Sequence, residues 1–300
     1  MSPSKPPEAT VQDTWTEYHE ARNKPRFPWP GRLWVHEGFE SPQLDNQRDL
    51  LVWTPPQAQE ESGPFPVLFL HDGQNLFDAE TSFAGDWNAA EALGDLAEQG
   101  YPVIAIGVPN LAKERIAEYS PFRDERWGGG RGEAYLDFLA DTVRPFVGQS
   151  FPITEDPAQT GLLGSSLGGL ISLYGIFHRP DAFGLCGALS PSIHFAHRAM
   201  LDHLRRRSRS ETAPNGRRIY LDVGTRERLP PDTPNQLFHH GSWKYRRDVS
   251  RTAALLRRRG FRAGQHLLYV EEEDGRHHEE AWRRRFPEAL AFLFKPESRA

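Results

Sequence analysis

Three hundred residues with 36 Lys+Arg against 41 Asp+Glu carry a formal charge of −5. That balance opposes the counterion-releasing attraction on which non-specific nucleic-acid binding rests, so no nucleic-acid partner is expected. A single cysteine, Cys186, excludes an internal disulfide or a multi-thiolate metal site within one chain, and its place in the apolar run 184–189 reads as a small buried hydrophobe.

The chain opens without an apolar segment of signal-peptide length, and no run of about 18 apolar residues follows. A cytoplasmic protein with no membrane partner is the expectation. Residues 1–25 are polar and hold Pro3, Pro6, Pro7 and Pro25, which reads as a flexible or surface-draped arm without visible chemistry. From residue 26 to 300 a single domain is expected, because no repeat or linker interrupts the pattern. Short apolar runs at 33–35, 50–53, 67–70, 103–108, 161–163, 185–189, 219–223 and 266–270 read as strands. The later runs are nearly continuous in hydrophobicity, as when both faces of a parallel sheet are covered.

Helical spacing appears between them at 87–100, then in the stripe Tyr135, Phe138, Leu139, Val143 and Phe146. Further helices are expected at 167–178, stopped by Pro180, at 192–206, at 245–259 before Gly260, and at 279–294 with Trp282, Phe286, Ala289, Leu290 and Leu293 inward. Alternating strands and helices imply right-handed crossovers. The expected fold is α/β, with about eight strands, mostly parallel, helices on both faces and an antiparallel pair at 32–54.

The fourth crossover carries Gly164-Ser165-Ser166-Leu167-Gly168, a Gly-x-Ser-x-Gly pattern with an apolar strand running in and an apolar helix running out. That is the setting of a nucleophile elbow, a turn tight enough to expose the Ser166 hydroxyl and intolerant of bulk two residues to either side. A phosphate-binding or close-packing turn is the bland alternative. A Rossmann phosphate turn would follow the first strand of its unit, whereas this motif comes mid-sheet.

A serine nucleophile needs a base, and the base an orienting acid, arriving in this fold in the order serine, acid, histidine. Beyond the last strand lies Glu271-Glu272-Glu273-Asp274-Gly275-Arg276-His277-His278, read as an exposed loop, so His277 or His278 is the candidate base. Earlier histidines fail on order or position; His239 and His240 fall in a Pro-rich loop and read as surface or substrate-loop residues. Glu227 is the first carboxylate beyond the strand 219–223, with Asp232 and Asp222 as alternatives.

At these residues the sequence resembles the putative-esterase family of α/β-hydrolases, which includes enterochelin-type siderophore esterases, feruloyl and acetyl-xylan esterases, S-formylglutathione hydrolase and mycolyltransferases. The resemblance covers about residues 32–294. Besides the elbow it rests on Phe69-Leu70-His71-Asp72-Gly73-Gln74-Asn75-Leu76-Phe77-Asp78, Arg115 with Glu118-Tyr119-Ser120-Pro121, Leu189-Ser190-Pro191-Ser192, Asp222-Val223-Gly224-Thr225-Arg226-Glu227, and His277-x-Glu279-x-x-Trp282. It implies an α/β-hydrolase fold and a serine esterase in which His277 is the base and Glu227 the acid. It also implies an oxyanion hole from the backbone amides of Gln74 and Leu167, an acyl-enzyme intermediate, and no metal or organic cofactor. Relatives often carry Asp at the acid position, where this chain has Glu.

Substrate recognition is expected from loops 110–131 and 228–243, with Arg115, Tyr119, Trp127 and Trp243 as substrate-binding candidates for a small-molecule ester; packing and ion pairing are the bland reading. Arginine clusters at 205–207, 257–259 and 283–285 read as solvated helix faces. Acyl transfer to an acceptor other than water, and a non-catalytic binding role on the same fold, are the competing functions.

Overall fold

The apolar runs pair into one nine-stranded sheet in a computed structural model that describes residues 14–59, 63–208, 211, 214–227 and 241–295. In chain order the strands are β1 (Thr16–Glu17), β2 (Arg32–Ser41), β3 (Asn46–Thr54), β4 (Val67–His71), β5 (Ile104–Val108), β6 (Thr160–Ser165), β7 (Leu185–Leu189), β8 (Arg218–Arg226) and β9 (Leu267–Arg276). Their spatial order is β1-β2-β3-β5-β4-β6-β7-β8-β9. From β5 through β9 every neighbouring pair is parallel, while β1, β2 and β3 join antiparallel at one edge. Every residue of β4, β6 and β7 is buried, which is why those segments show no alternation.

The main helices are α1 (Ala89–Glu98), α2 (132–148), α3 (Leu167–His178), α4 (Phe195–Arg206), α5 (Ser242–Arg258) and α6 (Glu279–Phe294). Helices α2 to α5 bury Tyr135, Leu173, Met200 and Val249 against one face of the sheet. On the other face α1 and α6 bury Leu93, Leu96, Trp282, Phe286 and Leu290. Within α2 the backbone widens to π-type bonding over Phe138–Val143 just before Pro145, whose missing N–H breaks the ordinary ladder there.

Four expectations change. The segment read as an arm at 1–25 is in part built into the fold: Trp15 and Tyr18 are buried, and Thr16 and Glu17 pair with Val35 and Trp34. That pairing supplies the ninth strand. The helix expected from Ser192 begins at Phe195, and the left-handed backbone of Ala196, His197 and Arg198 bends its start. The acidic run 271–274 is not a loop: β9 continues through it to Arg276. This strand lies at the sheet edge, where charged side chains reach water and discourage pairing with another sheet. Last, Arg285 is buried, although its neighbours Arg283 and Arg284 are exposed on the helix face as expected.

Candidate active site

Strand β5 lies on one side of β4 and β6 on the other, so the chain reverses its winding between β4 and β6. Loops leaving the carboxyl ends of those two strands diverge and open a crevice, the ordinary place for a ligand in a wound α/β sheet. The turn Asp72–Asn75 leaves β4 there, and Ser166 leaves β6.

Ser166 has φ 58° and ψ −117°, a strained conformation for a residue with a side chain. Its neighbours explain how the turn closes. A Cβ on Gly164 would lie 2.9 Å from His71 Cδ2 and 3.0 Å from the Gly168 carbonyl carbon, so glycine is required for close approach. Leu167 then opens α3, and its N–H is among the first four amides of a helix, which have no intrahelical acceptor.

A second pair of glycines brings the remaining groups together. A Cβ on Gly224 would lie 2.1 Å from Gly275 O, so the ends of β8 and β9 converge closer than side chains would permit. The next residues beyond the two strand ends are Glu227 and His277. Glu227 Oε2 lies 2.7 Å from His277 Nδ1, and His277 Nε2 lies 3.0 Å from Ser166 Oγ. All three residues are buried. Burial by itself would raise the Glu227 carboxyl, but hydrogen bonds from His277 and Ser190 and the charge of Arg285 hold it below the ordinary carboxylate value. It is therefore ionised at neutral pH. The Trp282 ring meets the His277 imidazole edge-on at 4.9 Å and Tyr245 meets it at 5.3 Å, closing the imidazole off from bulk water.

The other carboxylates lie elsewhere. Asp222 is fully buried on β8, where Oδ1 accepts the Ser190 amide at 2.8 Å and faces the Arg285 guanidinium at 3.1 Å. Asp232, His239 and His240 lie outside the described residues. His278 caps α6, its Nδ1 accepting the Glu280 amide at 3.3 Å.

The turn after β4 is held from beneath. Asp72 has a left-handed backbone, its amide donates to Tyr119 Oη at 2.9 Å, and its carboxylate takes a two-pronged ion pair from Arg115 at 2.7 and 2.8 Å. Asn110 Nδ2 donates to the same carboxylate at 2.6 Å. Gln74 follows in the middle of a 3-10 turn at Gly73–Asn75, with its side-chain Oε1 accepting the Asn110 amide at 3.1 Å.

These contacts redistribute the candidate substrate-binding residues. Tyr119 is fully buried and supports Asp72 from below, so no substrate can reach its ring. Arg115 stacks over Tyr119 and directs Nε and Nη2 to Asp72, which makes it a brace for the turn. Trp127 is half-buried with Arg126 over its ring at 4.7 Å, and Trp243 is 61% exposed with Arg247 over it at 4.8 Å. Of loop 228–243 only residues 241–243 are described.

His71, beneath the elbow, is buried with Nδ1 2.9 Å from Tyr135 Oη and Nε2 without a hydrogen-bond partner among the described residues. Burial pulls its pKa down to about 4. The unfolded chain thus takes up this proton near pH 6.5, before the fold does, so the stability His71 contributes is complete above that value. As pH falls from 6.5 to 4, about 3 kcal/mol is expected to be lost. Thermal melts between pH 7.5 and 4.5 should fall more steeply for the wild type than for His71→Asn, and equal slopes would exclude His71 as the titrating group.

Sequence reasoning gave Ser190, Ser192, Tyr245 and Arg285 no role at the site, although Ser190 and Ser192 lie in one of the segments that carry the family resemblance. Ser192 Oγ stands 3.1 Å from Ser166 Oγ and 3.4 Å from Tyr245 Oη, and Tyr245 donates to the Ser190 carbonyl at 2.6 Å. The Ser-Pro-Ser at the end of β7 held the only signal: it leaves the same sheet edge as the elbow, one strand over.

Sheet order, strained serine turn and the chain order of the three polar groups are those of the α/β-hydrolase fold. The chain matches the model of the family described as Putative esterase over residues 41–293 and belongs to that family; it is a carboxylic ester hydrolase. Among curated proteins it is 26% identical over 264 residues to the uncharacterized protein YbbA of Bacillus subtilis, covering 86% of this chain and 97% of that one. It is 32% identical over 203 residues to the siderophore triacetylfusarinine C esterase of Aspergillus fumigatus, covering 65% of this chain and 66% of the relative. Among solved structures, the enterobactin esterase FES of Shigella flexneri, crystallised in the presence of enterobactin, superposes with a TM-score of 0.65 at 21% identity over 90% of this chain. The match spans only 59% of that longer chain. The BES protein of Bacillus cereus gives a TM-score of 0.63 at 20% identity, covering 87% of this chain and 95% of that one. None of the described helices is long and apolar enough to cross a membrane.

Proposed function

We propose that the protein is a serine esterase that cleaves its substrate through an acyl-enzyme on Ser166. The carrying observation is the hydrogen-bonded line from Glu227 Oε2 to His277 Nδ1, and from His277 Nε2 to Ser166 Oγ. Glu227, ionised, accepts from Nδ1–H and so leaves Nε2 as the lone pair facing the serine. As Ser166 Oγ attacks the ester carbonyl, His277 takes its proton, and Glu227 steadies the resulting imidazolium. The amides of Gln74 and Leu167 hold the developing oxyanion, each typically worth about 3 kcal/mol to such a transition state. His277 then gives the proton to the departing alcohol, which leaves the acyl group on Ser166. Water, deprotonated by His277, repeats the attack and frees the carboxylic acid.

For the substrate we propose an ester of a siderophore, the class named for the Aspergillus fumigatus and Shigella flexneri esterases that this chain resembles. Exposed Trp243 under Arg247 and half-buried Trp127 under Arg126 offer flat, cation-topped surfaces at the molecule's surface, suited to an anionic or aromatic acyl group. A fluorophosphonate should label Ser166 and abolish activity, and turnover should be fastest on siderophore lactones. Faster turnover of feruloylated or acetylated sugars or of short acyl thioesters would replace the substrate class. Failure of Ser166 to label would remove the mechanism.

A further inference from the structure

Ser190 stands behind the acid of the proposed triad with every polar atom engaged. It is fully buried at the end of β7, with a left-handed φ of 41° that a serine does not adopt without compensation. Its amide donates to Asp222 Oδ1 at 2.8 Å, and its carbonyl accepts from Tyr245 at 2.6 Å. Its hydroxyl has three neighbours. Trp282 Nε1 and Arg285 Nη2, each at 3.1 Å, are groups that only donate, whereas Glu227 Oε1 at 2.6 Å only accepts. A hydroxyl has one proton, so with both lone pairs taken by Trp282 and Arg285 that proton must go to Glu227.

From this we propose that Ser190, locked as a one-way donor by Trp282 and Arg285, is a positioning residue that turns Glu227 so that Oε2 alone faces His277. The inference rests on the triad reading of the preceding subsection. Glu227 Oε1 also accepts the Gly224 amide at 2.5 Å, which fixes that oxygen on two sides. Arg285 ties the same unit to Asp222, the carboxylate that holds the Ser190 backbone in its left-handed turn. A glutamate has one more torsion to restrain than the aspartate common at this position, and Ser190 with Gly224 supplies the restraint.

If Ser190 acts only through Glu227, its effect must vanish once Glu227 is disabled. The rate constant for fluorophosphonate labelling of Ser166 is measured in wild type, Ser190→Ala, Glu227→Gln and the double variant, with melting temperatures alongside. Ser190→Ala is expected to slow labelling about 10- to 100-fold, the scale of one charge-assisted hydrogen bond, in the wild-type background. In the Glu227→Gln background it is expected to change the rate less than about twofold. Equal losses in the two backgrounds, or wild-type labelling by folded Ser190→Ala, would overturn the proposal while leaving the triad intact. Wild-type labelling by Glu227→Gln would instead overturn the triad acid, and this proposal with it. Should Ser190→Ala fail to fold, Ser190→Cys, similar in size but a weak donor, carries the same cycle.

Discussion

Ser166→Ala is expected to lower kcat/KM on p-nitrophenyl acetate by about 10⁵- to 10⁶-fold, the loss typical of removing a nucleophile whose triad acts as a unit. The residual rate should come from binding and the two oxyanion amides alone. KM should stay close to wild type, because no binding contact is removed, and His277→Ala should give a loss of the same order. A second readout separates chemistry from folding. At φ 58° and ψ −117° Ser166 pays a backbone cost of about 1–3 kcal/mol that glycine does not incur. Ser166→Gly should therefore be as inactive as Ser166→Ala yet melt higher, by about 2 °C per kcal/mol recovered in a chain of this size. A variant that retained a tenth of the activity would remove Ser166 as the nucleophile, and a lower melting point for the glycine variant would show that the elbow is not strained.

Glu227→Gln is expected to cost about 10⁴-fold in kcat with little change in fold, since the amide is isosteric with the carboxylate. Its Oε1 can still accept from Ser190 and Gly224. The other end now presents N–H₂ to His277 Nδ1, which forces that nitrogen to become the acceptor and moves the ring proton to Nε2. There it faces Ser166 and cannot take a second proton. Glu227→Asp should fall between the two, because the shorter side chain keeps the charge but cannot reach Ser190 and His277 together. The direction of the Glu227 shift has its own consequence. Its folded pKa is depressed, so the stability it contributes is present above the unfolded value near 4.5 and is lost as pH falls through the lower folded value. Glu227→Gln should remove that part of the acid limb of a stability profile. Unchanged kcat in the glutamine variant would assign the acid elsewhere.

The elbow was legible because its physical demands are local. A hydroxyl on a tight strand-to-helix turn needs Gly164 and Gly168 within two residues, and those needs are written side by side in the chain. The same is true of α3 and α6, whose ends fall where helical spacing and Pro180 placed them. The convergence of β8 and β9 was not legible, since the clash that makes Gly224 necessary is with Gly275, far along the chain. The continuation of β9 through Glu271–Asp274 was hidden for a related reason: charges read as a loop unless the strand is known to lie at the sheet edge.

Tyr119 and Arg115 show the limit on side chains. Aromatic and cationic residues in a loop over the carboxyl edge look like substrate contacts, and only packing reveals that both face downward onto Asp72. Arg285 shows the converse, an arginine within a basic run that folds inward because Asp222 awaits it beneath α6.

By its sequence alone this chain determined that it would wind a parallel sheet and place Ser166, a later carboxylate and then His277 or His278 at the carboxyl ends of strands, since periodicity, glycine spacing and chain order act between near neighbours. Which carboxylate meets the imidazole, which serine hydroxyl stands behind it and which loop residues hold the Asp72 turn were decided by tertiary structure. Those choices depend on ångström-scale distances between groups 37 to 50 residues apart, and no local preference encodes them.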